Sequence, residues 1–233
     1  MAGEIEFSDK ITVKLVRAMA SDDMVVQAAQ VSSKGENSPD TVPERLIRAL
    51  MAGKHGSPFE HNAFTFFVEA PIFVFREWQR HRISSFNEMS GRYTELLPKF
   101  YAPSEDRPMV NLGTKMKPDF TRATPDVWLG VRWQLGSVAL ESWVSYQRML
   151  SNGVAHEVAR MVLPVNIYSQ MYWTVNARSL MNFLSLRVES DDSQVRSYPQ
   201  LEIEMGATQI EEIFAERMPA THAAFVANGR VAP

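Results

Sequence analysis

The chain has 233 residues, a formal net charge of -3 and a pI near 6.0. That length can bury a sizeable core in a single domain spanning 1–233, and the mildly acidic balance argues against a general nucleic-acid or membrane-surface binder. There is no cysteine, which excludes disulfides, zinc–thiolate sites and thiolate nucleophiles and fits a reducing, cytoplasmic setting.

The opening MAGEIEFSDK is acidic rather than signal-like, and no apolar run approaches membrane-spanning length. Ile11, Val13 and Leu15 alternate with Thr12, Lys14 and Val16, the pattern of a half-buried strand. Ser21 with Asp22 and Asp23 opens a helix to about Ser32, acids in its first turn, and Lys34 to Asp40 is polar loop. Thr41, with Glu44 three residues on, predicts a capping box for a helix ended by Gly53. His55-Gly56-Ser57-Pro58-Phe59-Glu60-His61 offers a second capping box around Ser57, or a helix N-terminus with a hydroxyl suited to an anion.

Phe64 to Glu69 reads as a strand, and Pro71 starts a helix to about His81 with Ile72, Phe75 and Trp78 on one face. Tyr93 to Tyr101 reads as a strand ended by Pro103, and Glu105 to Ala123 as a Pro- and Gly-punctuated loop. Thr124-Pro125-Asp126 caps a long helix to Leu150, closed by Asn152-Gly153, with Trp128, Trp133 and Trp143 expected in the core. A helix over Val154 to Leu163 stops at Pro164; its His156-Glu157-Val158-Ala159-Arg160 misses the zinc motif HExxH because Arg160 stands where the second histidine must be, so no metal is expected. Val165 to Val175 reads as a strand. Asn176 then caps the helix NARSLMNFLSLR, on which Arg178 and Asn182 share a face while Leu180, Phe183 and Leu184 turn to the core. A last long helix runs from about Pro199 to Arg217, stopped by Pro219.

Neither a G-x-G-x-x-G nor a Walker loop occurs, and no G-x-S-x-G elbow. The chemistry gathers instead in Arg80 to Tyr93, RHRISSFNEMSGRY. Arginine offers a planar fork of donors matched to phosphate and carboxylate, so Arg80, Arg82 and Arg92 ask for an anionic partner that Glu88 alone does not satisfy. With His81, Arg160, Arg178 and Arg187 they form a set suited to polyanions, each charge-assisted hydrogen bond being worth roughly 1.5–3 kcal/mol. A non-catalytic nucleotide- or RNA-binding protein could use the same arginines, but the acidic pI and the lack of an RNA-binding signature weigh against it.

The stretch resembles the signature of the flavin-dependent thymidylate synthases, RHRxxSxNExSxRY, at Arg80, His81, Arg82, Ser85, Asn87, Glu88, Ser90, Arg92 and Tyr93. HGSPFEH from His55 and NARSLMNFL from Asn176 extend the resemblance. It implies an α/β (α+β) fold, a mixed and largely antiparallel sheet flanked by long helices and unlike the Rossmann arrangement. It also implies a homotetramer with FAD at subunit interfaces that methylates dUMP to dTMP. Methylenetetrahydrofolate would supply the carbon and NADPH would reduce the flavin, with no nucleic-acid or membrane partner.

Carried over by position, Ser57, Arg80, His81, Arg82, Glu88, Asn176, Arg178 and Asn182 belong to the flavin site. Arg80 (reaching a neighbouring subunit's site), Glu88, Met89, Ser90, Gly91, Arg92, Arg160 and Arg187 belong to the dUMP site. Arg187 matches the arginine credited with promoting ionisation at the uracil N3, and Ser90 would position phosphate rather than attack, lacking a base. Two departures stand out. Some members place glutamine where this chain has Glu77, which would repel a phosphate if turned inward and is left outside the expected site. Glu189 to Tyr198 also lacks a histidine that many members carry.

Overall fold

The computed structural model describes residues 4–34 and 42–233. In chain order the elements are β1 (Glu6–Ser8), β2 (Thr12–Met19), α1 (Asp22–Lys34), α2 (Pro43–Ala52), α3 (Ser57–Glu60), β3 (Ala63–Pro71) and α4 (Ile72–Trp78). There follow β4 (Ser84–Glu88), β5 (Lys99–Tyr101), β6 (Pro108–Asn111), β7 (Phe120–Arg122), α5 (Pro125–Ser151), α6 (His156–Ala159) and a 3-10 turn, Arg160–Val162. The chain closes with β8 (Tyr168–Asn176), α7 (Ala177–Arg187), α8 (Leu201–Arg217) and α9 (Pro219–Ala227). Among the described residues 47% are helical and 20% lie in strands, with no barrel, and the fold is of the expected mixed α/β class. Among the described residues no helix is long and apolar enough to cross a membrane.

The chain divides into two compact units, neither continuous in sequence. The first comprises the residues through Lys10, Glu69–Arg76 and Glu88–Gln170; the second comprises Ile11–Val68, Glu77–Asn87 and Met171–Pro233.

The second unit holds most of the four-stranded sheet, ordered β2-β3-β8-β4. Alternation on β3 buries Phe64, Phe66 and Val68, and on β8 Met171, Trp173 and Val175, because successive strand side chains take opposite faces. Trp173 meets Trp78 edge-on at 5.4 Å and Phe183 at 4.9 Å, all three wholly buried. Each such ring is worth about 1.5–3 kcal/mol in area removed from water. As expected, α7 turns Leu180, Phe183 and Leu184 into this core, and the Asn176 side chain caps it by accepting from Ser179 N at 2.8 Å. Gln209 of α8 ties the start of β2, accepting from Val13 N at 3.1 Å and donating to Ile11 O at 2.9 Å.

The first unit is built on α5, whose Ala139, Trp143 and Tyr146 bury against Leu96, Phe100, Ala159 and Ile167. Thr124 and Asn152 bound the helix as expected, and Gly153 turns the chain at φ 79°. A parallel pair, β1 with β5, and an antiparallel hairpin, β6 with β7, complete it.

Several expectations are corrected. Glu105 to Ala123 is not featureless loop: β6 and β7 pair, and Asn111 Oδ1 closes the turn by accepting from Gly113 N and Asp119 N. Only Lys99–Tyr101 of the Tyr93–Tyr101 strand forms, because Tyr93 and Thr94 amides turn back onto Ser90 O. The first turn of α4 starts at Ile72 rather than Pro71, since Ile72 and Phe73 amides still donate to Ile167 O and Val165 O as strand residues would. Val154–Leu163 shrinks to α6 and the 3-10 turn. Ser57 is the first residue of a four-residue helix capped by Gly56, with no side-chain cap bond, so neither the capping box nor an extended helix N-terminus exists there. Thr41 lies outside the described residues; Val42 is the N-cap of α2. Trp143 is core, but Trp133 is 67% exposed and Trp128 is partly buried, its indole donating to Pro103 O at 3.1 Å. α8 stops at Arg217, ahead of Pro219, as expected, but Pro219 does not end helical structure. It begins α9, whose first amides, Ala220 and Thr221, donate to the Asp22 carboxylate at 2.8 and 2.9 Å.

Candidate active site

The signature stretch falls partly in each unit, so its residues are placed in two groups. In the first unit β4 ends at Glu88, and Met89 N donates to Gln170 O at 2.8 Å. The chain then reverses over Ser90–Thr94, with Ser90 Oγ accepting from Arg92 N at 3.3 Å. Gly91 is buried at this reversal. A Cβ there would stand 3.3 Å from Arg160 Cδ and from Leu96 Cδ1, so glycine allows the stem of Arg160 to pass against the backbone.

Around this reversal lies a cleft of about 250 Å³. Its polar lining is two guanidinium groups, Arg76 and Arg160, two carboxylates, Glu88 and Glu157, and Ser169; the rest is apolar, including Ile72, Met89, Leu163 and Ile167. Arg76 and Arg160 are exposed and make no ion pair among the described residues. Of the residues expected at the substrate site, Glu88, Met89, Gly91 and Arg160 line this cleft, whereas Ser90 and Arg92 do not. Arg92 instead pairs with Glu157 at 3.1 Å, both half-exposed, where screening leaves about 0–1 kcal/mol.

Arg76, Glu157 and Ser169 were not foreseen. Ser169 is 2% exposed and its hydroxyl has no hydrogen-bond partner. A buried orphan of that kind costs about 1–3 kcal/mol. A signal for it exists in the sequence: Ser169, Met171, Trp173 and Val175 share the inward register of β8, and Ser169 is the one polar member.

In the second unit Arg187, the last residue of α7, is only 18% exposed along its side chain. Its Nη1 donates to Glu77 Oε2 at 2.8 Å, its Nε to His81 Nε2 at 3.2 Å and its Nη2 to the Glu77 carbonyl at 3.4 Å. His81 also packs edge-on against Phe183 at 4.9 Å. Burial, with the Arg187 charge adding to it, pushes the imidazole down to about 4, so the ring is neutral near pH 7 and can accept. Burial raises the Glu77 carboxyl, Arg187 pulls it down and Glu202 adds to the rise; the net direction is upward. Glu77, set aside on sequence grounds, is thus engaged with the arginine rather than turned at a phosphate.

The remaining expected residues lie in the second unit. Arg80 and Arg82 are exposed on the turn after α4 and form no ion pair among the described residues. Ser57 and Asn182 are exposed, the Asn182 amide donating to Arg178 O at 3.2 Å. Arg178 is held by Glu60 Oε1 and by Pro233 O, each at 2.6 Å, and Asn176 Oδ1 is used as the α7 cap. Among the described residues there is no cluster of three or more acidic, histidine or cysteine side chains that could hold a metal.

Comparison with known proteins follows the same lines. Residues 14–220 match the family model described as "Thymidylate synthase complementing protein". A flavin-dependent thymidylate synthase of Streptomyces coelicolor is 52% identical, over 99% of this chain and 96% of its own. One from Tropheryma whipplei is 50% identical over 97% of each. The crystal structure of a UMP/dUMP methylase from Streptomyces cacaoi, bound with 5-Br UMP, is 46% identical with a TM-score of 0.93, covering 99% of this chain and 100% of that one.

Proposed function

The chain belongs to the flavin-dependent thymidylate synthase family, and from that premise we propose that it converts dUMP to dTMP. The balanced reaction takes dUMP, methylenetetrahydrofolate, NADPH and a proton to dTMP, tetrahydrofolate and NADP. The observation that carries the reading is the first-unit cleft, where four residues expected from the signature and from Arg160 line one cavity with apolar walls. Such a cavity suits a nucleoside monophosphate: guanidinium groups for the phosphate, apolar side chains for the body of the nucleotide, and a hydroxyl for one of its polar edges.

In this reading Arg160 and the Gly91 backbone hold the phosphate, with Glu88 and Met89 beside the sugar and Ser169 supplying a hydrogen bond from the cleft wall; Arg92, beside the cleft, would join them by releasing Glu157. Arg187 stabilises negative charge developing on the pyrimidine through N3, replacing the thiolate that a chain without cysteine cannot offer. Ser90 has no base to activate it and acts as a positioning hydroxyl.

The second-unit residues fit FAD by their chemistry. Arg80 and Arg82 are exposed cations suited to a pyrophosphate, and Ser57 and Asn182 are exposed neutral donors. Arg178, Asn176 and His81 would complete the site, and Arg80 would in addition reach the dUMP site of a neighbouring subunit. Bound there, FAD would supply the hydride that completes the methyl group, having taken it from NADPH. The protein orients the two nucleotides and excludes water.

A homotetramer fits the surface of α5. Leu129, Trp133 and Leu140 share one exposed side of the helix, more apolar surface than the first unit covers. A dTMP-producing enzyme without cysteine also fits the cytoplasm.

The test is direct. Purified protein should be yellow or become so with FAD, bleach anaerobically with NADPH faster when dUMP is present, and form dTMP only with methylenetetrahydrofolate. A protein that stays colourless with FAD and makes no dTMP would overturn the proposal; UMP beside dUMP shows whether the ribonucleotide is also accepted.

A further inference from the structure

Arg187 is the most deeply buried of the anchored site arginines, its side chain less exposed than those of Arg178 and Arg92. A guanidinium carries five N–H donors. Three are taken within the second unit, by the Glu77 carboxylate, the Glu77 carbonyl and the His81 ring. Both anchoring side chains lie close in sequence, Glu77 on the last turn of α4 and His81 just beyond it, so one turn of backbone presents both acceptors to α7. A flexible arginine side chain samples many rotamers, and holding it before substrate arrives removes that entropic cost from the reaction step.

We propose that Glu77 is the positioning residue of Arg187: its carboxylate, with His81 accepting at Nε, fixes the guanidinium so that its remaining donors are presented to the pyrimidine. The inference deepens the functional reading above and rests on it for the identity of the substrate. The charged groups that bear on the pair are few. Arg187 faces Glu77 and His81, and Glu202 of α8 bears on Glu77. Glu202 is buried and makes its own contacts, so it does not stand in for Glu77 as a partner of Arg187.

A second consequence concerns the histidine. To accept from Arg187 Nε, His81 must carry its proton on Nδ1 and leave Nε2 bare, and a protonated ring would have nothing to accept with. Both anchors therefore hold across the neutral range and both weaken in acid, where the Glu77 carboxylate, raised by burial, and the His81 ring, held down to about 4, take up protons.

Glu77→Ala and Glu77→Gln separate positioning from simple folding. Alanine removes the side-chain acceptor, whereas glutamine keeps an oxygen in the same place without the charge. The expected pattern is a kcat for dTMP formation lowered about tenfold or more in E77A, with the KM for dUMP changed less than about threefold, and recovery of most of the rate in E77Q. The second readout needs no turnover. The Arg187 Nη–H resonances should be resolved and slow to exchange in the wild type and in E77Q, and lost to exchange in E77A at an unchanged melting temperature, because Nη1 donates to the Glu77 carboxylate. An E77A protein with wild-type kcat and protected Arg187 Nη–H groups would overturn the proposal. Failure of the functional reading is distinguishable: wild-type protein would then make no dTMP, while the resonances would still report whether Glu77 holds the arginine.

Discussion

Arg160 and Arg187 are the same residue type in opposite settings, and the proposed function gives them opposite uses. Arg160 stands exposed at the edge of the first-unit cleft, with no ion pair among the described residues. Arg187 is mostly buried in the second unit, held by Glu77 and His81. A phosphate is multiply charged and tolerates several approaches, so a mobile cation suffices for it. A pyrimidine ring develops charge at particular atoms, and a donor aimed there is worth most when it is fixed beforehand and shielded from water. In the proposed roles, burial and anchoring, more than charge, separate the catalytic arginine from the binding one.

Substitutions at the two arginines test that contrast most strongly. Arg187→Ala should lower kcat about 100-fold or more while leaving flavin content and the KM for dUMP close to wild type. Arg160→Ala should do the reverse, raising the KM for dUMP about tenfold or more with a smaller change in kcat, as loss of a charge-assisted hydrogen bond requires. If the two variants showed the same split between kcat and KM, the distinction would fail.

Ser169→Ala sharpens the comparison within the cleft. Its hydroxyl satisfies nothing in the protein alone, so the melting temperature should not fall, while the KM for dUMP should rise about fivefold, equivalent to about 1 kcal/mol. A lowered melting temperature with unchanged KM would assign the hydroxyl to the fold instead. The smallest effect concerns pH. Folding depresses His81 from 6.5 to about 4, so the unfolded chain takes up the proton first as pH falls. Stability associated with His81 is complete above pH 6.5 and is lost as pH falls toward about 4; His81→Gln should flatten that part of the melting-temperature profile.

The residues themselves made much of this legible. The α7 cap at Asn176, its buried Leu180, Phe183 and Leu184, and the long α5 all follow from local pattern. The signature itself specifies Glu88, and the wider resemblance implies Gly91 and Arg160 by position; all three line the cleft. What escaped depended on partners distant in sequence. β4 lies within RISSFNE, which has little strand character, and is held by pairing with β8. The start of α9 depends on a carboxylate, Asp22, 198 residues from the amide of Ala220 that it receives. Ser169 was legible only as a polar residue breaking an apolar register. Glu77 was judged by its charge against a phosphate, and its true neighbour, Arg187, is 110 residues away.

The central claim is that a fixed guanidinium activates the pyrimidine and that no side chain becomes covalently attached to it. It is tested most directly by rapidly quenching the flavin-loaded protein during turnover of dUMP and weighing the intact chain by mass spectrometry. The expected result is unmodified protein at every time point while dTMP accumulates. A transient species heavier by one nucleotide, mapping to Ser90 or any other side chain, would contradict the account.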